Sequence, residues 1–514
     1  MYYTTVVTIS KRMKQFSAYA NCIRSFSSTN RMNKEIVIIG AARTPIGSFG
    51  GSLSTLSATK LGSIAIQAAI ERSGVPKENV TEVFMGNVCQ AGAGQAPARQ
   101  AALFAGLPVS TICTTINKVC ASGMKSVMFG AQSLLCGHQD IVVAGGMESM
   151  SNVPYYMNRG ETKYGGVFLA DGIVADGLTD VYNKIHMGNC AENTAKICNI
   201  SRQEQDDYAI SSYKRSEQAF ATGAISDELV SVSVPQKKGK PDIVVKADEE
   251  YKRINYDKFR QLSTVFQKDG TVTAGNASTI NDGAAACVLT TAETAAKLNI
   301  KPLARIVGFQ DAATNPIDFP LAPAFAIPKL LEQCNVSVND IALWEINEAF
   351  SVVVLANIKK LNIDPEKVNV HGGAVSLGHP IGMSGARIIV HLAYALKAGE
   401  KGVASICNGG GGASSILIEK LKTERLENRL PRLTLYTKHP CSLCDDLKQE
   451  LQPFYHRVSF EEVDITLEEN QRWNNLYKYE IPVLHLENRF LCKNELNKDT
   501  LERNLSDLER EWNL

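Results

Sequence analysis

The chain has 514 residues, of which 44% are hydrophobic and 21% are charged, so it can form more than one packed domain. Its formal net charge of +1 gives no electrostatic case for nucleic acid or a membrane surface, and no apolar run approaches the roughly 18 residues of a membrane-spanning helix. The 13 cysteines lack the spacing of a secreted disulfide framework, which indicates a reducing compartment.

The N-terminal segment, residues 1–33, differs in composition from the rest of the chain. It is rich in Ser and Thr, contains no Asp or Glu, and carries only basic charges, at Lys11, Arg12, Lys14, Arg24 and Arg31. A basic, acid-free leader without an apolar core is typical of a mitochondrial transit peptide, and the alternative is a merely unstructured terminus. We therefore expect delivery to the mitochondrial matrix.

A regular alternation of strands and helices begins near residue 34. Continuous apolar runs that end in Gly predict strands buried on both faces, and apolar residues three and four apart predict helices. The elements predicted in the first half, residues 34–300, are strands at 35–40, 80–87, 111–116 and 141–146 and helices at 56–71, 95–104 and 121–135. This alternation predicts an α/β layered domain.

Cys120 lies where the predicted strand 111–116 meets the helix 121–135. The N–H groups of a first helical turn have no partner within the helix and favour negative charge. A cysteine at this place is therefore biased toward the nucleophilic thiolate. The alternative is a buried cysteine that acts as a small hydrophobic residue, and this stretch alone does not decide between the two.

The segment at about 149–271 has a different character, with several glycine turns, a polar helix at 202–222 and a stretch of mixed charge at 237–258. The second half, residues 301–420, then returns to the α/β pattern. Its predicted elements are strands at 341–347, 402–407 and 414–419 and helices at 349–361 and 379–396. The helix after His379 takes the place in this half that the helix after Cys120 takes in the first.

A separate C-terminal domain is predicted at 432–514, after a charged linker at 421–431. Its strands and helices follow the order βαβαββα, and Cys441 and Cys444 open its first helix. This order resembles a small glutaredoxin-like domain of the thioredoxin fold. Pro482 stands where that fold places a cis-proline, and cis X–Pro bonds are rare enough to be informative. The resemblance implies a redox site of Cys441, Cys444 and Pro482.

Four short motifs stand in order along residues 34–420: the Cys120 turn, Asn347–Phe350, Gly378–Gly382 and Cys407–Gly412. Glycine-rich stretches let the backbone approach a ligand closely. In these motifs the sequence resembles the thiolase family. The resemblance implies a duplicated thiolase fold, in which two βαβαβαββ halves pack as a five-layer α-β-α-β-α sandwich and catalytic groups from both halves meet at one site.

The resemblance implies the reversible condensation of two acetyl-CoA molecules to acetoacetyl-CoA and CoA. This chemistry needs a nucleophile, a base for the α-carbon and donors for two oxyanions. Cys120 would carry the acyl group, His379 would activate Cys120, and Cys407 would take the α-proton. Asn347 would hold a water in the first oxyanion hole, and the N–H groups of Cys120 and Gly409 would form the second.

The same resemblance implies binding sites for coenzyme A and for potassium, with the loop segment 149–271 covering the CoA. The expected CoA contacts are Tyr213, Arg253, Ile254, Asn255, Lys258 and Ser278, with His186 and Met187 lining the pantetheine and acyl pocket. The potassium ligands would be Tyr213, Ala274, Gly275, Ala277 and Val375. Asn255 and Gly275 depart from the Asp and Ala that the family pattern expects, which puts the Asn255 contact in doubt.

Phe319 and Pro320 match a pair that indicates tolerance of the branched substrate 2-methylacetoacetyl-CoA. The family also implies a homotetramer. One alternative is a 3-ketoacyl-CoA thiolase of broader chain length. Another is a CoA-binding scaffold joined to a redox domain. The presence of Cys120, His379 and Cys407 together argues against the scaffold.

Overall fold

The structure is a computed structural model that describes residues 34–161, 164–236, 240–421, 431–467, 470–487 and 489–512. The predicted transit segment 1–33 and residues 422–430 of the predicted linker lie outside these ranges. The chain divides into two compact units, and the division falls between residues 421 and 422 of the sequence.

The first half of the larger unit follows the predicted alternation, with element ends shifted by a few residues. Its main elements are β1 (Ile36–Arg43), α1 (Ala58–Ser73), β2 (Glu82–Gly86), α2 (Pro97–Phe104), β3 (Ile112–Ile116), α3 (Ser122–Leu135) and β4 (Ile141–Ser149). Every residue of β1 and β4 is buried, as expected for strands covered on both faces.

The intervening segment contains two longer helices, α4 (Met187–Cys198) and α5 (Arg202–Thr222). The polar helix predicted at 202–222 is therefore confirmed. It begins with a capping box, in which the side chain of Ser201 accepts from the N–H of Glu204 and Glu204 accepts from the N–H of Ser201. The first half then closes with β5 (Asn281–Thr291).

The second half repeats most of this order. Its main elements are β6 (Ala304–Ala313), α6 (Pro323–Cys334), β7 (Ile341–Ile346), α7 (Ser351–Leu361), α8 (Ser384–Ala395), β8 (Lys401–Asn408) and β9 (Gly412–Lys420). Where the first half has β3, the second half has a single bridge between Trp344 and Val368. The predicted helix 379–396 begins only at Ser384, because residues 378–383 form a loop.

The strands form one mixed sheet in the order β7-β8-β9-β6-β1-β5-β4-β2-β3, in which β1 and β6 pair across the two halves. Helices α1 and α2 cover the first half on one side, and α6 covers the second half on the other. Helices α3 and α8 pack on each other, and α8 contacts strands of both halves. The two halves of the sheet are the two β layers of the thiolase fold that the resemblance implied. The three groups of helices are its three α layers.

The smaller unit has the predicted βαβαββα order. Its elements are β10 (Arg432–Thr437), α9 (Ser442–Leu451), β11 (Ser459–Asp464), α10 (Gln471–Tyr477), β12 (Val483–Leu486), β13 (Arg489–Lys493) and α11 (Lys498–Trp512). The strands pair in the order β11-β10-β12-β13, with β10 and β11 parallel. The Ile481–Pro482 peptide bond is cis, as predicted.

Candidate functional site

Cys120 lies in the turn between β3 and α3, just before the helix begins at Ser122. Val119 has a φ of 47°, an uncommon conformation for a β-branched residue. Oδ1 of Asn117 accepts from the N–H of Val119 at 3.0 Å, and Oγ of Ser122 accepts from the N–H of Lys118 at 2.8 Å. Side chains at both ends of the turn therefore hold the backbone that presents Cys120, and such conformations cluster at functional sites.

Lys118 ties this turn to the second half of the fold. Its Nζ forms an ion pair with Asp311 of β6 and donates to Oγ of Ser414 of β9 at 2.8 Å. Asp311 also pairs with Nζ of Lys125, one helical turn into α3, at 2.6 Å. The nucleophile turn is thus fixed to two strands whose partner residues lie 193 and 296 residues further along the chain.

The thiol of Cys120 is buried. Burial raises its pKa to about 11, and the charge of Glu148 contributes to the rise, whereas the N–H groups of Gly409 and of Cys120 itself lower the pKa. The predicted bias toward thiolate is therefore wrong for the resting protein, because the cost of burying the charge exceeds the gain from two N–H donors. The site must generate the thiolate by proton transfer to a base within it.

The same two N–H groups were predicted to form an oxyanion hole. Gly409 follows β8 of the second half, whereas Cys120 belongs to the first, so the two halves meet at this sulfur. A Cβ built on Gly409 would lie 3.5 Å from Val119 and 3.6 Å from Sδ of Met187. The Cys120 turn, the glycine stretch and the predicted acyl-pocket residue Met187 therefore converge.

His379 is buried, and burial lowers its pKa to about 4, with the charge of Arg387 contributing. Nδ1 lies 2.6 Å from Oγ of Ser384, and this hydroxyl donates to the carbonyl of Pro380 at 3.0 Å. A hydroxyl has one proton, so when Ser384 donates to Pro380 the ring carries its proton on Nδ1 and donates it to Ser384. Nε2 of the neutral ring is then an acceptor, and it has no hydrogen-bond partner among the described residues.

Asn347 follows β7 directly and is buried. Both polar atoms of its side chain lack a partner among the described residues, which is uncommon for a buried amide. Together with Nε2 of His379, these atoms supply buried polar groups that an oxygen-bearing substrate or water can satisfy.

Cys407 lies near the end of β8 and is almost fully buried (1% exposed). Burial raises its pKa well above the ordinary range, and a negative charge on Cys120 raises it further, so the two thiols cannot easily ionise together. Cys407 shares an apolar cluster with Met187, Phe319 and Phe350. The cluster therefore places apolar side chains around the second thiol.

The predicted CoA residues divide between an exposed and a buried group. The side chains of Arg253, Asn255 and Lys258 are exposed beside the short helix Tyr256–Phe259, and Oδ1 of Asn255 accepts from the N–H of Lys258 at 3.2 Å. Two of these side chains are cationic, and Nη1 of Arg253 lies 3.5 Å from the carboxylate of Glu250. Ile254 packs partly against the core.

Other predicted CoA residues lie near the cluster that contains Cys407 or near the Asn347 motif. His186 stacks on Phe266 with ring centroids 4.6 Å apart, and its Nδ1 accepts from the N–H of Gly188 at 3.0 Å. Phe266 in turn packs against the Phe319 and Phe350 cluster. Ser278 donates its hydroxyl at 2.9 Å to the carbonyl of Ala349, two residues after Asn347.

Two of the five predicted potassium ligands, Tyr213 and Gly275, lie against Phe259. Tyr213 packs edge-on to Phe259 with centroids 6.1 Å apart, and a Cβ on Gly275 would lie 2.7 Å from the same ring. Val375 belongs to the same buried cluster. The charges of Glu250 and Glu348 add to burial in raising the pKa of Tyr213, so two carboxylates lie near its hydroxyl.

Sequence reasoning missed Ser384 and Glu148. Ser384 stands five residues after His379, and its role depends on the loop that folds between them. Glu148 follows the Gly-ended run 141–146, where the predicted strand stopped, although β4 extends to Ser149. The acidic residue at the end of a buried strand was the available signal for Glu148.

In the smaller unit, Cys441 and Cys444 are joined as a disulfide, and Sγ of Cys441 accepts from the N–H of Cys444 at 3.3 Å. Cys444 is buried (1% exposed), whereas Cys441 is half-buried. Cys444 packs in a cluster with Tyr436 and Ile481, beside the cis Pro482.

Comparison with protein families agrees with this geometry. The thiolase N-terminal domain matches residues 36–293, the thiolase C-terminal domain matches residues 300–420, and a glutaredoxin-like domain matches residues 432–506. The chain therefore belongs to the thiolase family and carries a glutaredoxin-like domain at its C-terminal end.

Its similar relatives include the mitochondrial acetyl-CoA acetyltransferases of Mus musculus and Homo sapiens. The mouse protein is 69% identical over 77% of this chain and 94% of its own length. The human protein is 69% identical over 76% of this chain and 91% of its own length. The crystal structure of Acat5 thiolase from Ascaris suum in complex with coenzyme A matches with a TM-score of 0.73 and 51% identity, covering 76% of this chain and all of that one.

Proposed function

We propose that the chain is an acetyl-CoA C-acetyltransferase, which condenses two acetyl-CoA molecules to acetoacetyl-CoA and CoA and catalyses the reverse thiolysis. One observation carries the proposal: Gly409, from the second half, lies against the Cys120 turn of the first half, where a Cβ on Gly409 would be 3.5 Å from Val119. Relatives at 69% identity carry this activity in their names.

The first half-reaction transfers an acetyl group to Cys120. Nε2 of neutral His379 takes the proton of Cys120, and the thiolate attacks the thioester carbonyl. The N–H groups of Cys120 and Gly409, or the amide of Asn347 through a water, stabilise the oxyanion. The departing CoA thiolate takes the proton of Cys407, which leaves Cys407 ionised.

The second half-reaction forms the carbon–carbon bond. The Cys407 thiolate takes the α-proton of the second acetyl-CoA, and the resulting enolate attacks the acetyl carbon on Cys120. Cys120 leaves as a thiolate and takes its proton back from His379, so both protons are accounted for. Because burial opposes each thiolate, the ionised forms arise only as steps of the reaction.

The proposal extends to the acyl group that the pocket accepts. Phe319 lies in the cluster with Cys407 and Met187, so its ring bounds the space beside the second thiol. We expect 2-methylacetoacetyl-CoA to be a substrate, with Pro320 fixing the backbone next to Phe319. A comparable rate on long-chain 3-ketoacyl-CoA would favour the alternative of broader chain length.

We also propose that potassium binds near Tyr213. The cation would be held by the Tyr213 hydroxyl and by the carbonyls of Ala274, Gly275, Ala277 and Val375, a set of oxygen donors suited to a hard cation. Nearby Glu250 and Glu348 supply negative charge. Bound potassium would order this loop beside the CoA path. Thiolysis rates that are equal in sodium and potassium salts would exclude the site.

The protein as a whole is proposed to be a homotetramer of the mitochondrial matrix, a compartment consistent with the names of its relatives. Among the described helices, none combines the length and hydropathy needed to cross a bilayer.

The activity is tested with Cys120→Ala in the purified full chain. The variant should lose acetoacetyl-CoA thiolysis, condensation and the covalent acetyl adduct that intact mass spectrometry detects on the wild type. Cys136→Ala, which removes an exposed cysteine, is the matched control and should keep all three. Wild-type turnover by Cys120→Ala would refute the proposal.

A second function is proposed for the smaller unit, on the observation of the Cys441–Cys444 disulfide at the start of α9. A dithiol at a helix N-terminus exchanges with other disulfides, because the exposed N–H groups stabilise the attacking thiolate. Pro482 would border the groove that receives the substrate disulfide.

A further inference from the structure

Glu148 is a fully buried carboxylate at the end of β4 (0% exposed). One of its oxygens accepts from Nδ2 of Asn87 at 2.8 Å and from the N–H of Cys89 at 3.2 Å. The other accepts from the N–H of Val88 at 3.0 Å and from the N–H of Gly382 at 2.9 Å. All four of these partners are donors, an arrangement that suits an ionised carboxylate and does not suit a protonated one.

These donors come from two segments that border the reactive groups. Gly382 lies three residues after His379, in the loop that leads to α8. On the other side, the carbonyl of Val88 accepts from Nδ2 of Asn117 at 3.3 Å. Asn117 in turn holds the N–H of Val119, next to Cys120. A continuous hydrogen-bonded route therefore runs from the His379 loop through Glu148 to the Cys120 turn.

The loop lies too close to β4 for side chains at the contact. A Cβ on Gly382 would lie 2.6 Å from Oε2 of Glu148, and a Cβ on Gly146 would lie 2.0 Å from the carbonyl of Gly382. Contacts this short admit only glycine. Gly146 and Gly382 therefore let the two segments come close enough for the carboxylate of Glu148 to bond to both.

The duplication of the fold gives Glu148 a counterpart. Gly86, the last residue of β2, pairs with Gly146, and Ile346, the last residue of β7, pairs with Ser405. Asn87 directly follows β2, and Asn347 directly follows β7. Glu148 stands two residues after Gly146, and Cys407 stands two residues after Ser405. In the second half, the side-chain amide of Asn347 has no hydrogen-bond partner among the described residues. In the first half, Asn87 and Glu148 are hydrogen-bonded to each other.

The charge of Glu148 also acts on the reactive thiol. Burial raises the pKa of Glu148 to about 7, its three backbone donors oppose this, and Asp282 adds to the rise. The titratable groups that face it are Asp282, Cys89 and Cys120. Its negative charge contributes to the raised pKa of Cys120.

We propose that Glu148 is a positioning residue for the thiolase reaction: its ionised carboxylate fixes the His379 loop relative to the Cys120 turn. Removing it displaces His379 from the geometry that proton transfer requires, without touching the substrate. The proposal rests on the proposed function, and its test is therefore chosen to include a readout that needs no turnover.

The test compares Glu148→Gln with the wild type in the full chain, by steady-state thiolysis of acetoacetyl-CoA and by the pH dependence of Cys120 alkylation with iodoacetamide, followed by peptide mass spectrometry. Gln places an NH₂ group against two N–H donors, so kcat should fall on the order of tenfold to a hundredfold. KM should change less than roughly threefold, because no substrate contact is lost. The pKa of Cys120 should fall, since a nearby negative charge is removed.

Glu148→Asp separates geometry from charge. It keeps the carboxylate but cannot span both segments, so kcat should fall while the pKa of Cys120 stays at the wild-type value. Glu293→Gln, an exposed carboxylate paired with Lys297, is the control and should change neither quantity.

Wild-type kcat in Glu148→Asp would overturn the proposal even if Glu148→Gln fails to fold. An unchanged Cys120 alkylation profile in folded Glu148→Gln would overturn it as well. A wild-type protein without thiolysis would instead refute the proposed function, so the two failures are distinguishable.

Discussion

Arg43 holds both carboxylate oxygens of Asp248, at 2.8 and 3.0 Å, with neither side chain exposed. Nε of Arg43 also binds Glu228 at 2.6 Å, and Glu228 accepts from His391 of α8 at 2.7 Å. This buried group joins the end of β1, the intervening segment and the central helix layer. It therefore fixes the segment that carries the predicted CoA residues to the core that carries the reactive groups.

Replacing Arg43 with Met should destabilise the larger unit. The substitution leaves two buried carboxylates without their cation, and breaking a buried pair from one side costs about 3–5 kcal/mol. The midpoint of urea unfolding, followed by near-UV circular dichroism, measures the effect. Arg260→Met removes a half-exposed ion pair with Asp207 and should change stability by less than about 1 kcal/mol. Equal midpoints for the two variants would contradict this prediction.

Replacing Ser384 with Ala should slow the reaction while the fold persists. Without the hydroxyl, the ring of His379 loses the partner that places its proton on Nδ1 and leaves Nε2 as an acceptor. We expect kcat to fall roughly tenfold or more, with a smaller change in KM. Ser126→Ala, which removes a buried hydroxyl that donates to the carbonyl of Ser122 in the same helix, is the control. A fall of the same size in the control would show that any lost buried hydroxyl has this effect.

The neutral state of His379 predicts acid sensitivity. Its pKa is about 4 in the folded protein and about 6.5 in the unfolded chain, so the unfolded state binds more protons between these values. Stability from this group is present above about pH 6.5 and is lost as the pH falls, by about 2 kcal/mol between about pH 7 and pH 5. His379→Asn should reduce the loss on acidification, whereas His138→Asn, at an exposed position, should not. Parallel stability profiles for wild type and His379→Asn would refute this assignment.

The dithiol of the smaller unit should react asymmetrically. After reduction, limiting iodoacetamide should label Cys441 before Cys444, because Cys441 is half-buried at the start of α9 and Cys444 is enclosed. A 431–514 fragment with Cys492→Ser restricts the labelling to these two thiols. The fragment should fold and form the Cys441–Cys444 disulfide on mild oxidation. Equal labelling without a disulfide would leave only a packing role for the pair.

Local patterns in the sequence predicted most of the layered fold and the four motifs. The Cys120 turn was predictable because a strand, a turn and a helix follow one another within about 25 residues. The strands β5 and β6 were not predicted. β5 includes three Ala and one Gly, which show little contrast between apolar and polar faces, and the strands that it pairs with, β1 and β4, lie far away in the sequence.

The sequence by itself determined the kinds of reactive group and the order in which they follow the strands, because these features depend on neighbouring residues. Only the tertiary structure decided the protonation state of Cys120, the tautomer of His379 and the part taken by Glu148. Each of these depends on burial and on hydrogen bonds between segments far apart in the chain. The N–H groups at Cys120 favour the thiolate, as the local sequence indicates. Burial of the sulfur by both halves disfavours the thiolate more strongly, so the pKa rises.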